Sequence, residues 1–184
     1  MKLRIWSKTL LNVYGCLFRL TKEIDKIVLG FGLNSAFYNG VSKTYRDINK
    51  IIELTDRKVT LINIKVLIER CLSSLDDVSC KILTLKFVDK VSSETIISTL
   101  NIKRRTFFRK YVQAINKFAN QLLVNGYDSD AMFKLIKGET WIEEVYRTYF
   151  EKEISKKVEP EISKYSIYSL AINNLKKEKY ISIC

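Results

Sequence analysis

Between Ser92 and Asn120 the chain reads SSETIISTLNIKRRTFFRKYVQAINKFAN, two helical patterns separated only by a turn at Leu100-Asn101-Ile102. Ser92 can accept from the backbone N–H groups of a first helical turn, and Glu94 suits the positive end of the helix dipole, so a helix starts there. Ile96, Ile97 and Leu100 give that helix its apolar contacts. Asn101 stops it, being among the few residues besides glycine that tolerate the left-handed backbone a sharp helix end needs. On the following segment Ile102, Phe107, Tyr111, Ala114, Ile115 and Phe118 recur at helical spacing, which leaves Arg104, Arg105, Phe108 and Arg109 off the apolar stripe. One face of this second helix packs, and the other is open to a ligand.

The open face is basic. From Thr95 to Tyr127 there is no Asp or Glu, while Lys103, Arg104, Arg105, Arg109, Lys110 and Lys117 all fall inside that window. A run of Lys and Arg on a helix is most often a solvated face. Here the arginines gather at the helix N-terminus, where they oppose the dipole. A basic helix held by a short preceding helix is also the form that enters the major groove of double-stranded DNA. DNA binding is the leading expectation.

Composition narrows the alternatives. At 184 residues and 47% hydrophobic content the chain can bury a core, and its net charge of +12 with a pI near 9.5 suits a polyanionic partner. Charges interrupt the longest apolar stretches, as in LFRLTKEIDKIVLGFGL, so none approaches the roughly 20 apolar residues of a membrane span. MKLRIWSKTLL lacks the apolar core and cleavage site of a secretory leader, so a cytoplasmic protein without a membrane partner is expected. Cys16, Cys71, Cys80 and Cys184 form no CxxC pair, and the chain has no histidine, which argues against a zinc site and a disulfide framework. Cys71 and Cys80 lie in apolar helical contexts and read as buried free thiols. Without histidine no Ser-His-Asp or Cys-His arrangement can form, and there is no Gly-rich phosphate loop. Asp76-Asp77 and Glu143-Glu144 read as helix-start or surface charges. We expect no catalytic residue, cofactor or metal.

The rest of the chain predicts an all-α fold. Leu10, Tyr14, Leu17, Phe18, Leu20, Ile24, Ile27 and Val28 form a stripe on a long helix that Gly30 and Gly32 should end, with Asn34 to Ser42 as a loop. A second helix carries Tyr45, Ile48, Ile51, Ile52 and Leu54, with Thr44 to Asp47 as a capping box. A third, Thr60 to Ser74, carries Leu61, Ile64, Leu67, Ile68, Cys71 and Leu72. Ser74-Leu-Asp-Asp77 offers a stop and a new N-cap for a fourth, with Val78, Ile82, Leu83 and Leu85, ending near Phe87 to Lys90. Beyond Tyr127, Asp128 to Ile136 and Thr140 to Lys156 read as helices divided by Lys137-Gly138, with Thr140 as a cap, and Pro160 as a breaker. The stretch from Tyr165 to Leu175 fits a helix, a strand or a tail that orders on contact. These patterns divide the chain into a helical segment 1–58, a DNA-binding domain 59–126 and a helical extension 127–184.

Within LSSLDDVSCKILTLKFVDKVSSETIISTLNIKRRTFFRK the motifs also stand in a familiar order. Leu72 and Leu75 lead into Ile82-Leu83, Phe87-Val88 precede the turn, and Ser92 and Glu94-Thr95-Ile96 precede Leu100-Asn101-Ile102 and Arg104-Arg105-Thr106-Phe107. In this order Leu72 to Phe118 resembles region 4 of the sigma-70 family of RNA polymerase sigma factors, and the shorter region-4-like regulators of low-GC bacteria and their phages. Asn101 stands where that family has glycine, Lys103 where it has a Ser/Thr cap, and Ile97 where it has a small residue. The resemblance implies a helix-turn-helix in which Arg104, Arg105 and Arg109 face bases while Lys103, Lys110 and the Thr106 hydroxyl hold phosphates. Phe108 would then touch a thymine methyl or pack on a neighbouring segment. It implies RNA polymerase, through its flap, as a second partner. The first 60 residues offer only two helices before this part, too few for a promoter-melting region. The expectation is therefore a stand-alone, sequence-specific transcriptional regulator. A phage DNA-packaging or recombination subunit would use the same helix pair, and a helical module with an acidic protein partner would use the same basic face.

Overall fold

The computed structural model describes residues 2–37, 41–155 and 163–177. Among these, all regular structure is helical: α1 (Lys2–Phe37), α2 (Val41–Ser73), α3 (Asp77–Leu83), a π-helical turn (Thr84–Val88), α4 (Ser93–Thr99), α5 (Arg104–Val124), α6 (Ser129–Leu135), α7 (Thr140–Ile154) and α8 (Lys164–Lys177). The fold is all-α, as expected. Pro160 and Cys184 lie outside the described residues.

The axis of the molecule is α1, which packs against α2, α5, α6, α7, α8 and the π turn. A helix surrounded on all sides must be covered all round, and every residue from Ile5 to Val13 is buried. Its polar members satisfy themselves: the Ser7 and Thr9 hydroxyls donate to the carbonyls of Leu3 and Ile5 at 2.8 and 3.0 Å. Trp6 packs on Tyr146 with the rings tilted by 30° and meets Phe133 edge-on, fastening α1 to α6 and α7.

Gly30 and Gly32 do not end α1, which runs on to Phe37; Asn34 to Phe37 and Val41-Ser42 are helical, not loop. Each glycine costs roughly 1 kcal/mol of helix propensity, and Ile27, Val28 and Phe31 offset this by packing on the core. The second and third expected helices are one, α2, about 50 Å long. Thr44 to Asp47 is therefore no start. No Gly or Pro stands between Leu54 and Thr60, and tertiary pairs hold that stretch: Lys58 binds Asp25 at 2.6 Å and Arg57 binds Glu139 at 2.8 Å. The 58/59 position lies within α2.

Asp76 caps α3 by accepting from Ser79 N–H, and the π turn closes with Asp89 N–H bonded to the Thr84 carbonyl at 3.0 Å. Cys71 is buried, whereas Cys80 is only partly so, its helix being short and peripheral. Thr140 does not cap α7; Glu139 holds the cap position, and Thr140 Oγ1 accepts from Asn174 at 2.6 Å. The stretch that sequence leaves open is helix α8, because Ile167, Ala171 and Leu175 share one face and are buried there.

Candidate nucleic-acid interface

Local chemistry builds the unit around α5. Ser92 Oγ accepts from Thr95 N–H at 3.1 Å, starting α4, and Glu94 stands in its first turn. Asn101 ends α4 with a left-handed φ of 48°. Ile102 N–H reaches back to the Ile97 carbonyl at 3.2 Å and Asn101 N–H to that of Ser98 at 3.1 Å, the paired bonds of a Schellman stop. Lys103 takes the N-cap position of α5 without any side-chain cap, so the first N–H groups of that helix have no local acceptor.

Packing fixes the rotation of α5. Phe107, Tyr111, Ala114, Ile115, Phe118 and Leu122 are buried. Tyr111 stacks at 6.1 Å on both Phe87 of the π turn and Phe107. Ile102 and Ile97 are half-buried against the same core.

The opposite face carries the residues singled out from sequence. Lys103, Arg104, Arg105 and Arg109 are exposed, Thr106 and Lys110 are half-buried, and Phe108 is 45% exposed. Arg104 stacks its guanidinium over the Phe108 ring at 5.8 Å, and that ring meets Phe107 edge-on at 5.2 Å. Among the described residues, none of Lys103, Arg104, Arg105, Arg109 and Lys110 is in an ion pair.

Lys117 differs. It bonds Asp76 of the α3 cap at 2.5 Å, and this contact, with help from Ser79, holds the Asp76 carboxyl well below the usual carboxylate range. Sequence reasoning missed the pair, whose members stand 41 positions apart. It also missed Lys86 and Lys90, which with Phe108 and Val112 line a cleft beside α5. The left-handed φ of 59° at Lys90 leaves no mark in the sequence.

Residues 42–119 match a family described as a protein of unknown function, DUF1492. The match runs from the start of α2 into α5 and takes in Lys86, Lys90, Lys103, Arg104, Arg105, Arg109, Lys110 and Lys117. No curated protein and no solved structure matches the chain. No described helix is long and apolar enough to cross a membrane, and no described group of His, Cys, Asp or Glu gathers to hold a metal.

Proposed function

We propose that the chain is a sequence-specific, double-stranded DNA-binding transcriptional regulator that lays α5 in the major groove, in the manner of a sigma region 4-like helix-turn-helix. The observation that carries this reading is the set of five cations at the N-terminal end of α5 that make no ion pair among the described residues. Cations there oppose the helix dipole, and Arg105 and Arg109 repel one another four residues apart. A polyanion relieves both costs. In this reading Arg104, Arg105 and Arg109 meet base edges, Phe108 offers an apolar contact to a thymine methyl, and Lys103, Lys110 and Thr106 hold phosphates. RNA polymerase is the second partner of the proposal.

Fluorescence anisotropy of a labelled duplex over a series of salt concentrations tests it. Neutralising about four phosphates gives a slope of log K against log salt near −3.6. Binding that ignores salt overturns the reading. Binding that depends on salt but not on base sequence reduces it to a non-specific DNA contact.

A further inference from the structure

Beside α5 lies a cleft of about 920 Å³, walled by Phe108 and Val112 of α5, Phe87 of the π turn and Tyr149 of α7. Small-molecule sites commonly occupy roughly 300–1,000 Å³ behind mostly apolar walls with a few convergent polar groups. Three lysines, Lys86, Lys90 and Lys164, stand in its lining, with Asp89 and Glu94.

Lys90 is the central one. Its backbone is left-handed, a conformation that lysine adopts at a cost. Its side chain reaches α1, where the ammonium donates to Asn12 Oδ1. The Asn12 amide is itself held, donating to Tyr149 Oη at 2.5 Å and to the Lys8 carbonyl at 2.9 Å. An ammonium has three donors, and among the described residues Asn12 is the one partner of this group. Lys86 donates to Ser93 Oγ at 3.2 Å. Lys164 passes over Gly15, its Cε 3.5 Å from where a Cβ there would stand. The rim carboxylates Asp89 and Glu94 are exposed and bond to none of the three. Burial, and after it the charges of Lys164 and Lys86, push the Lys90 pKa down to about 8. Among the described residues no carboxylate bonds this partly buried cation, and an anion in the cleft would supply a counter-charge.

We infer that this cleft binds a small amphipathic anion, a flat apolar body carrying one sulfonate, carboxylate or phosphate group. The head group faces Lys86, Lys90 and Lys164, and the body lies against Phe87, Phe108 and Val112. The inference rests on the cleft and not on the exposed arginines, although Phe108 borders both the cleft and the face proposed for DNA.

The test titrates the full chain with 1-anilinonaphthalene-8-sulfonate, with its uncharged counterpart N-phenyl-1-naphthylamine, and with inorganic phosphate as competitor. One sulfonate should bind per chain, about tenfold or more tighter than the neutral amine, as expected for charge-assisted hydrogen bonds. Lys90→Met and Lys164→Met should each weaken the sulfonate several-fold and leave the amine unchanged. Val112→Trp should weaken both probes by filling the apolar end. Lys134→Met, on exposed α6 surface, should alter neither. Lys164 is exposed, so its variant remains informative even if Lys90→Met fails to fold. Equal affinity for the two probes, binding of several sulfonates, or unchanged affinity in Lys164→Met overturns the inference. Full displacement by millimolar phosphate overturns the amphipathic part, leaving a simple anion site.

Discussion

Lys8, Arg57, Lys58 and Lys65, in the long helices α1 and α2, each meet a carboxylate: Glu153, Glu139, Asp25 and Glu69, at 2.6 to 3.3 Å. Lys103, Arg104, Arg105, Arg109 and Lys110, in the first turns of α5, meet none among the described residues. Burial accounts for the innermost of these pairs. The Arg57 and Glu139 side chains are 12% and 1% exposed, and charges so far from water must be paired. The α5 cations stand in solvent, where hydration suffices for folding and nothing in the fold requires a partner. Lys8, Arg57 and Lys58 thus join separate helices, whereas the cations at the start of α5 make no ion pair among the described residues.

The largest effect should come from breaking a scaffold pair. Glu139 accepts from Arg57 Nε at 2.8 Å and Nη2 at 3.1 Å, and from Trp141 Nε1 at 2.7 Å. Glu139→Ala removes a nearly buried carboxylate with its bonds to Arg57 and Trp141 and should cost about 3–5 kcal/mol in urea denaturation. Arg105→Ala, in the same assay, should leave stability unchanged or slightly raised, because it removes a cation from the positive end of α5. A small loss at Glu139 and a large one at Arg105 would invert the comparison.

Next in size, Arg104→Ala and Arg109→Ala should each lower discrimination between specific and random duplex by about 1–3 kcal/mol with no change in melting temperature. Equal weakening on both duplexes would reassign these arginines to phosphates. Lys117→Ala should change specificity little, since Lys117 is already engaged by Asp76.

The two adjacent phenylalanines sharpen the boundary between regions. Phe107 is 1% exposed and Phe108 45%. Phe107→Ala should cost about 3–5 kcal/mol. Phe108→Ala, losing chiefly its edge-on ring contact, should cost about 0.5–1.5 kcal/mol and mainly affect binding. Melting by circular dichroism separates them, and early melting of Phe108→Ala would mean that α5 is rotated by one residue.

The smallest effect concerns the surface pair of Asp76 and Lys117. The depressed folded pKa of Asp76 means that its contribution is complete above the unfolded value of about 3.9 and fades as pH falls through the lower folded value. Wild type should therefore lose stability slightly faster than Lys117→Met on acidification below about pH 4. Parallel acid titrations of the two proteins would contradict this.

Much of the candidate interface is legible in the sequence because its determinants act over a few residues. Ser92 caps the turn that follows it, Asn101 supplies the left-handed stop, and the 3.6-residue period from Phe107 to Phe118 phases α5. The lengths of α1 and α2 are not legible. Gly30, Gly32 and the polar run Thr55 to Lys58 look like ends, and only packing between the two helices, with pairs such as Asp25 with Lys58, carries the helices through. The α8 stripe is equally ambiguous until α1 and α7 supply the surface that buries Ile167 and Ala171.

By itself, then, the sequence determined an all-helical chain, the start, stop and rotation of the α4–α5 unit, and a basic face on α5. Periodicity, caps and turn residues encode these within single segments. Only the tertiary structure decided which cations are spent inside the protein, as Lys117 is on Asp76, and which stay open. It alone placed Lys86, Lys90 and Lys164 around one cleft. Whether a charge finds a partner depends on where distant segments come to lie, and no local pattern specifies that.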